Sequence, residues 1–237
     1  EAIKLALRRL KAGRPMAEAN LIKQLRRRAE ADFADSHSER HRQKPNQLTG
    51  FQEHYYQTNL PPSAWQEAQA QAEDYLRTFL NSALYAELRQ QPPLALLAVE
   101  ELQSFLVAGV KVWVQLDLVR RGNNTLYLYD WKSGPVDSAE LRQQLGIYGL
   151  YLRHAWPPGV PLRAIVYLLA EDKLLEFELD EPMLQETQAF VERSVAQLRG
   201  LLLDDDANLA ELRRFPMIND LSVCRRCQFR ELCGRDK

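Results

Sequence analysis

Apolar residues along this chain recur with two periods, every second position in some stretches and every third or fourth in others. Val110, Val112, Val114, Leu116 and Leu118 alternate with Lys111, Trp113, Gln115, Asp117 and Val119. That is the pattern of a half-buried strand, and it sets Asp117 on the face away from the aliphatic row. Gly122-Asn123-Asn124 then makes a turn, and a second strand runs from Leu126 to Asp130-Trp131-Lys132. Residues i and i+2 of a strand share a face, so Asp130 and Lys132 point the same way. An antiparallel hairpin through the Gly-Asn-Asn turn brings Asp117 close to Asp130.

The remaining elements follow from the same periodicities. Glu1 to Leu10 and Met16 to Phe33 have helical spacing, with Gly13 and Pro15 between them as stop signals. Residues 34–50 are polar and aperiodic and predict a loop, with His37 and His41 as solvated loop histidines. An aromatic segment, Phe51 to Tyr56, follows, and Pro61-Pro62-Ser63 opens one long helix to about Arg89 that Pro92-Pro93 ends. A strand from Leu96 through Phe105 leads into the two strands above. Ser138 is the candidate N-cap of a helix that carries Leu141, Leu145 and Leu152 as its apolar stripe. Strands at Arg163–Leu169 and Leu174–Leu179 precede a helix capped by Asp180 and running to about Leu203. Helices, three strands, a helix, two strands and a helix predict an α/β fold, a mixed sheet flanked by helices with a helical N-terminal region. The expected division is 1–92 for that region, 93–203 for the core and 204–237 for a C-terminal tail.

Composition adds limits. The chain has 237 residues and is 46% hydrophobic, enough for a sizeable core. No apolar run reaches the roughly 18 residues of a membrane span, and no secretory signal pattern opens the chain. A cytoplasmic protein without membrane partners is expected. The formal net charge of −1 conceals an asymmetry, because residues 1–44 hold twelve Lys/Arg against six Asp/Glu. Such a basic stretch suits a polyanionic partner, although it also describes the solvated face of an amphipathic helix.

Two carboxylates and a lysine at one strand end suit a hard divalent cation, which takes oxygen ligands and keeps several waters. The plainer reading is a strand-end cap at Asp130 and an ordinary Asp117–Lys132 ion pair. Gln144 and Tyr148, four residues apart on one helix face, extend the group. The order D…DxK…QLxxYxxYL resembles the PD-(D/E)xK nuclease superfamily, in particular its RecB-like branch. Val114-Gln115-Leu116-Asp117 departs from the Gly-Arg-Ile-Asp that is frequent there. The resemblance implies a restriction-endonuclease-like fold. It makes Asp117, Asp130 and Lys132 the catalytic residues, and Asp117, Asp130 and the Trp131 backbone carbonyl the ligands of Mg²⁺ or Mn²⁺. Gln144 and Tyr148 would approach the nucleic acid or the metal shell. A glutamate at the end of the first strand, Glu100 or Glu101, is also implied.

Cys224, Cys227 and Cys233 are the only cysteines. An odd number in C-x2-C-x5-C spacing points to a metal or cluster rather than to disulfides, with zinc and iron–sulfur both open. The spacing resembles RecB-like nucleases that carry a 4Fe–4S cluster, of AddB type or of the CRISPR-associated spacer-acquisition type. In those, three C-terminal cysteines are joined by one near the N-terminus, and no such cysteine stands here. Glu1-Ala2-Ile3-Lys4 looks like the continuation of that family's G-x-x-x-H segment, so an N-terminal truncation is expected. Two functions stand against each other. One is a metal-dependent deoxyribonuclease acting on single strands or ends, exonuclease ahead of endonuclease, in DNA repair, recombination or defence, with a helicase or another protein of those processes as a further partner. The other is a non-catalytic nucleic-acid-binding module of a helicase–nuclease assembly. A zinc-stapled fold of unrelated function is a third reading.

Overall fold

The computed structural model describes residues 1–61, 63–225, 227 and 229–235. In chain order its helices and strands are α1 (Ala2–Lys11), α2 (Glu18–His37), α3 (Arg40–Gln43), α4 (Gln52–Tyr55), α5 (Ala64–Asn81), α6 (Ala83–Gln90), β1 (Leu96–Val107), β2 (Val110–Arg121) and β3 (Leu126–Lys132). They continue with α7 (Ser138–Ala155), β4 (Leu162–Leu168), β5 (Lys173–Glu178), α8 (Glu181–Gly200), the short β6 (Leu202–Asp204) and β7 (Leu209–Ala210), and α9 (Leu221–Arg225). Two compact units result, residues 1–25 with 69–195 and residues 26–68 with 196–237. Among the described residues no helix is long and apolar enough to cross a membrane.

The first unit is built on a five-stranded sheet in the order β1-β2-β3-β4-β5. β1, β2 and β3 pair antiparallel, β3 and β4 pair parallel across α7, and β5 returns antiparallel. This is the mixed α/β architecture that the order of elements predicts. β3 is covered on both faces. Leu126 and Leu128 join Leu141, Leu145 and Leu152 of α7 in one core cluster. Tyr129 joins Leu7, Leu10, Phe79 and Leu88, from α1, α5 and α6, in another. Alternation therefore gives way to a nearly continuous apolar run in β3, as it does wherever a strand loses both faces to packing.

β2 changes character along its length. Val114 and Leu116 belong to the α7-side cluster, whereas Leu118 belongs to the opposite one and Val119 to the α7 side again. The alternation thus slips by one between Leu116 and Leu118. On the partner strand Glu100 has a φ of 45°, in the left-handed region, which locally re-aims the strand as bulges do. Before the slip, Glu101–Val107 and Val110–Leu116 form a hairpin that reaches beyond the last β2–β3 pair, Leu118↔Tyr129. Ala108 and Gly109, with φ of 51° and 75°, close it in a two-residue turn with both central φ positive.

Two expectations need correction. The single helix over residues 63–89 is two, because Ser82 interrupts it. Its hydroxyl donates to the Phe79 carbonyl at 2.7 Å and accepts the Tyr85 N–H at 3.1 Å, capping α6. Residues 34–50 are not a simple loop, since α2 continues to His37 and α3 follows. His41 is buried rather than solvated, and a Cβ at Gly50 would lie 2.5 Å from its ring. The polar composition of this stretch concealed an aromatic core in the second unit. There Phe33 packs against Trp65, His37 and His54 at centroid distances of 4.7, 5.8 and 5.1 Å. The C-terminal tail is tied into the same unit by Tyr55, whose hydroxyl donates to Glu231, and by Arg230 stacked on Tyr56.

α7 and α8 meet at glycine. A Cβ at Gly146 would lie 2.0 Å from Thr187 Oγ1 and 3.0 Å from its Cβ and Cγ2. Thr187 cannot turn away freely, because it is buried, β-branched and bonded to the Met183 carbonyl at 2.8 Å. Gly146→Ala is expected to destabilise the protein by about 1–3 kcal/mol through overpacking, despite the gain in helix propensity of about 1 kcal/mol. A lower denaturant midpoint in equilibrium unfolding checks this, and an unchanged or raised midpoint refutes it.

Candidate active site

β2 and β3 part at Asp117 and Asp130. In the register of the preceding pairs these two residues come next opposite each other, but the backbone ladder stops at Leu118↔Tyr129. The Trp131 N–H, deprived of a strand partner, donates to Asp117 Oδ2 at 2.9 Å. In a strand the N–H and C=O of one residue point to the same side. The Trp131 carbonyl therefore faces the β2 side, where Asp117 lies.

β3 delivers Asp130 and Lys132 to the α7 side, as the two-residue period predicts. Lys132 Nζ is 2.8 Å from Asp130 Oδ2 in an ion pair and donates to Gln144 Oε1 at 2.6 Å. Gln144 Nε2 donates to Asp130 Oδ1 at 3.2 Å and to the Tyr148 hydroxyl at 2.8 Å. One amide thus joins three of the predicted residues. α7 holds it there because Asp137 caps the helix, accepting the Ala139 and Glu140 N–H groups at 2.8 and 3.0 Å. The cap is Asp137 and not Ser138, since the carboxylate already satisfies both first-turn donors.

The electrostatics are strained. Burial pushes the Asp117 carboxyl up to about 7; the charges of Asp130 and Glu100 add to that, while the Trp131 N–H and Lys132 oppose it. Burial also raises the Asp130 carboxyl against the pull of Lys132. Tyr148 is raised by burial and by the nearby carboxylates. Asp130 Oδ2 is buried and has the Lys132 ammonium, 2.8 Å away, beside it. Two neighbouring carboxylates of like charge, both raised by desolvation, offer oxygen donors of the kind a small divalent cation takes.

The structure separates the two glutamates that the pattern left undecided. Glu100 accepts from Lys4 and Gln115 at 2.7 and 3.1 Å, and its charge is felt by Asp117 and Tyr148. Glu101 pairs with Lys11 at the surface, 3.0 Å away. Lys4 is the neighbour that the sequence pattern missed. It comes from α1 at the far end of the chain, and only helical spacing on an amphipathic helix hinted at its face.

The tail cysteines stand in the second unit. Cys224 and Cys227 are joined by a turn in which the Cys227 N–H donates to the Cys224 carbonyl at 3.1 Å. Cys227 Sγ accepts the Phe229 N–H at 3.4 Å, and Cys224 Sγ accepts from Arg235 at 3.3 Å. Cys233 is exposed. Among the described residues no group of three or more His, Cys, Asp or Glu is gathered as a metal site.

Comparison with known proteins bears on this arrangement. Among solved structures the chain is similar to a protein of Eubacterium rectale named as a candidate exonuclease, with a TM-score of 0.42 and 12% identity over 88% of this chain and 79% of that one. It is also similar to SSO0001, with a TM-score of 0.35 and 17% identity over 74% of this chain and 72% of that one. No curated protein matches the sequence. The model of one family, described as the PD-(D/E)XK nuclease superfamily, matches residues 5–234, and its span takes in every residue of the acidic site; the chain belongs to that superfamily.

Proposed function

We propose that this protein is a metal-dependent nuclease that hydrolyses DNA phosphodiester bonds at Asp117, Asp130 and Lys132. The observation that carries the proposal is a buried carboxylate, Asp130, beside a half-buried one, Asp117, with Lys132 held next to Asp130 by Gln144. A structural ion pair has no need of a second, half-buried carboxylate whose pKa is raised to about 7. Asp117, Asp130 and the Trp131 carbonyl would hold Mg²⁺ or Mn²⁺. When bound, the cation supplies Lewis-acid chemistry at the phosphate and a water acidic enough to attack near neutral pH.

The chain's own groups do the rest. Lys132 places a positive charge where negative charge develops on the phosphate oxygens, and its Nζ can orient the attacking water. Gln144 keeps that ammonium in place through its carbonyl and steadies Asp130 through its amide. Tyr148, anchored by the same amide, lines the site on the next turn of α7. Glu100 stands behind Asp117, its charge taken up by Lys4. The acidic pair would draw in a cation ahead of the substrate, and the basic first helix would attract the polyanion.

Action on single strands or ends, exonuclease ahead of endonuclease, belongs to this reading, as does the RecB-like branch with a role in repair or defence beside a helicase. So does an iron–sulfur cluster at Cys224, Cys227 and Cys233. The turn that brings Cys224 to Cys227, with an N–H donated to each of two carbonyl and sulfur acceptors, supports a metal-binding tail. Three cysteines fall one short of a cluster's usual four, and no step of the reaction passes through it. Iron and acid-labile sulfide in anaerobically purified protein, lost in Cys227→Ala, are the expected result. Stoichiometric zinc without iron would reassign the tail.

Lys132→Ala is expected to lower kcat for DNA cleavage at least about 100-fold while leaving the dissociation constant for DNA within about threefold, because the charge acts on the transition state. Gln144→Ala should lose about tenfold, since Lys132 remains but is no longer held, and Tyr148→Phe less. Single-turnover cleavage of labelled oligonucleotides with Mg²⁺ measures all three. Wild-type rates in Lys132→Ala would remove the catalytic assignment.

A raised carboxyl also dictates a pH dependence. Without metal Asp117 carries a proton below about pH 7, and this proton must leave before the oxygen can ligate. Mg²⁺ affinity is therefore expected to fall as pH drops below 7, approaching about tenfold per unit, and to level off above it. Calorimetric titration of Mg²⁺ between pH 5.5 and 8 tests this, and a constant affinity over that range contradicts it. Asp117→Asn should abolish both the binding and its pH dependence.

A further inference from the structure

Strand register extends the acidic group by one strand. Val99 pairs with Leu118 and Glu101 with Leu116, so Glu100 of β1 lies across from Asp117 of β2. Leu118 pairs with Tyr129, which sets Asp130 of β3 next to Asp117 on the other side. The three carboxylates therefore cross the sheet in one row, with strands about 4.8 Å apart. They do not face the same way. Asp130 turns to Lys132 and Gln144 of α7, whereas Glu100, with its φ of 45°, turns to Lys4 of α1. Asp117 stands between them, held by the Trp131 N–H. Glu100 is thus a neighbour of the cation site and not a third ligand, since among the described residues no three such groups gather as one site.

Each outer carboxylate has its own lysine, Lys132 at 2.8 Å from Asp130 and Lys4 at 2.7 Å from Glu100. The second pair is no surface bridge, because the side chains of Lys4 and Glu100 are only 13 and 15% exposed. Gln115 Nε2 donates to the same oxygen, Glu100 Oε2, at 3.1 Å. The other contact of Lys4 is to Glu1, at 3.8 Å, whose side chain is 76% exposed; such a pair contributes little. Charges shielded from water act over a longer range than exposed ones, and the charge of Glu100 reaches both Asp117 and Tyr148. The Lys4 ammonium, in contact with Glu100, opposes it there. Docking of α1 on β1 does not need this lysine. Leu7 and Leu10 share a buried cluster with Leu96 and Val99, and Lys11 bonds the Leu97 carbonyl and Glu101 at 2.8 and 3.0 Å. Three carboxylates and two lysines leave the row one net negative charge, and loss of Lys4 would leave two.

We propose that Lys4 is a positioning residue that sets how tightly the acidic site holds its divalent cation, by fixing Glu100 in the row and offsetting its charge. The proposal rests on the metal-dependent reading of Asp117 and Asp130, but its test measures binding and not cleavage. Two strand spacings, about 10 Å, separate Glu100 from Asp130. Removing one positive charge at about that distance from a divalent cation strengthens binding about fourfold even at the dielectric constant of water, and more in a drier site. Mn²⁺ is titrated by electron paramagnetic resonance against the full chain at pH 8 and low ionic strength. Wild type is compared with Lys4→Met, Lys4→Arg, Glu100→Gln and the double variant Lys4→Met/Glu100→Gln. Lys4→Met, which keeps an unbranched apolar stem, is expected to bind Mn²⁺ about fourfold or more tightly than wild type. Glu100→Gln leaves Lys4 without its partner and should bind more weakly by a similar factor. The double variant should return to within about twofold of wild type, and Lys4→Arg, which keeps the charge, should stay there. A role for Lys4 in packing alone would weaken binding in Lys4→Met instead. Should that variant fail to fold, Glu100→Gln and the double variant carry the same comparison. Equal or weaker binding in Lys4→Met would overturn the proposal, as would a double variant no tighter than Glu100→Gln. Mn²⁺ binding that persists in Asp117→Asn, or is missing from wild type, would instead remove the metal site itself and this proposal with it.

Discussion

The bond from the Trp131 N–H to the Asp117 carboxylate holds the site together. Where two strands separate, the next backbone donor loses its partner, and a buried N–H left unpaired costs about 1–3 kcal/mol. Asp117 satisfies that donor. In exchange its carboxylate is kept in a place that burial and the charge of Asp130 would otherwise make unfavourable. Without this bond neither feature would persist. The strands would have reason to go on pairing, and the carboxylate would have reason to turn to water.

Everything around the parting of the strands follows from it. Because β2 leaves β3 at Asp117, the β1–β2 hairpin is free to extend past the sheet, and α7 can bring its own side chains up to the end of β3. Gln144 suits the position it holds because an amide offers both an acceptor and donors on one rigid plane. Its carbonyl meets the Lys132 ammonium, and its NH₂ spans Asp130 and Tyr148. A carboxylate there would add a third negative charge, and an aliphatic residue would leave Lys132 to find its own position. The glycine contact between α7 and α8 sets how deeply α7 sits, so packing remote from the chemistry has a part in where Gln144 stands.

Glu100 and Lys4 show how such a site is balanced from behind. A third carboxylate near Asp117 and Asp130 would be costly alone. Lys4, 2.7 Å from Glu100 and mostly shielded from solvent, carries the compensating charge. The left-handed backbone at Glu100 places the glutamate there, at the point where the alternation of the hairpin slips. The irregularity of the strand and the polarity of the site therefore have one origin.

Periodicity by itself determined the order and type of the sheet elements, the shared face of Asp130 and Lys132, and the stacking of Gln144 under Tyr148. Each depends only on neighbours within one strand or one helix, whose geometry is local and invariant. The spacing of apolar residues also located the helices, but not the interruption at Ser82 or the continuation of α2 to His37. The cap at Ser82 is local, made to Phe79 and Tyr85, but an uninterrupted helical spacing of apolar residues on both sides of it masks it, whereas a polar stretch becomes an aromatic core only when Phe33, His54 and Trp65 meet across distant segments. The choice between Glu100 and Glu101 and the position of Lys4 were likewise decided in three dimensions, whereas the cap at Asp137 rests only on its neighbours Ala139 and Glu140. Adjacent glutamates look alike in a sequence; which of them stands near Asp117 depends on a backbone φ and on a lysine from a helix at the other end of the chain. The cysteine spacing was legible as the local turn that joins Cys224 to Cys227, because such a turn involves only neighbouring residues. Local geometry is written in the pattern of residues, but burial, charge compensation and the parting of two strands arise only from contacts between segments far apart in the chain.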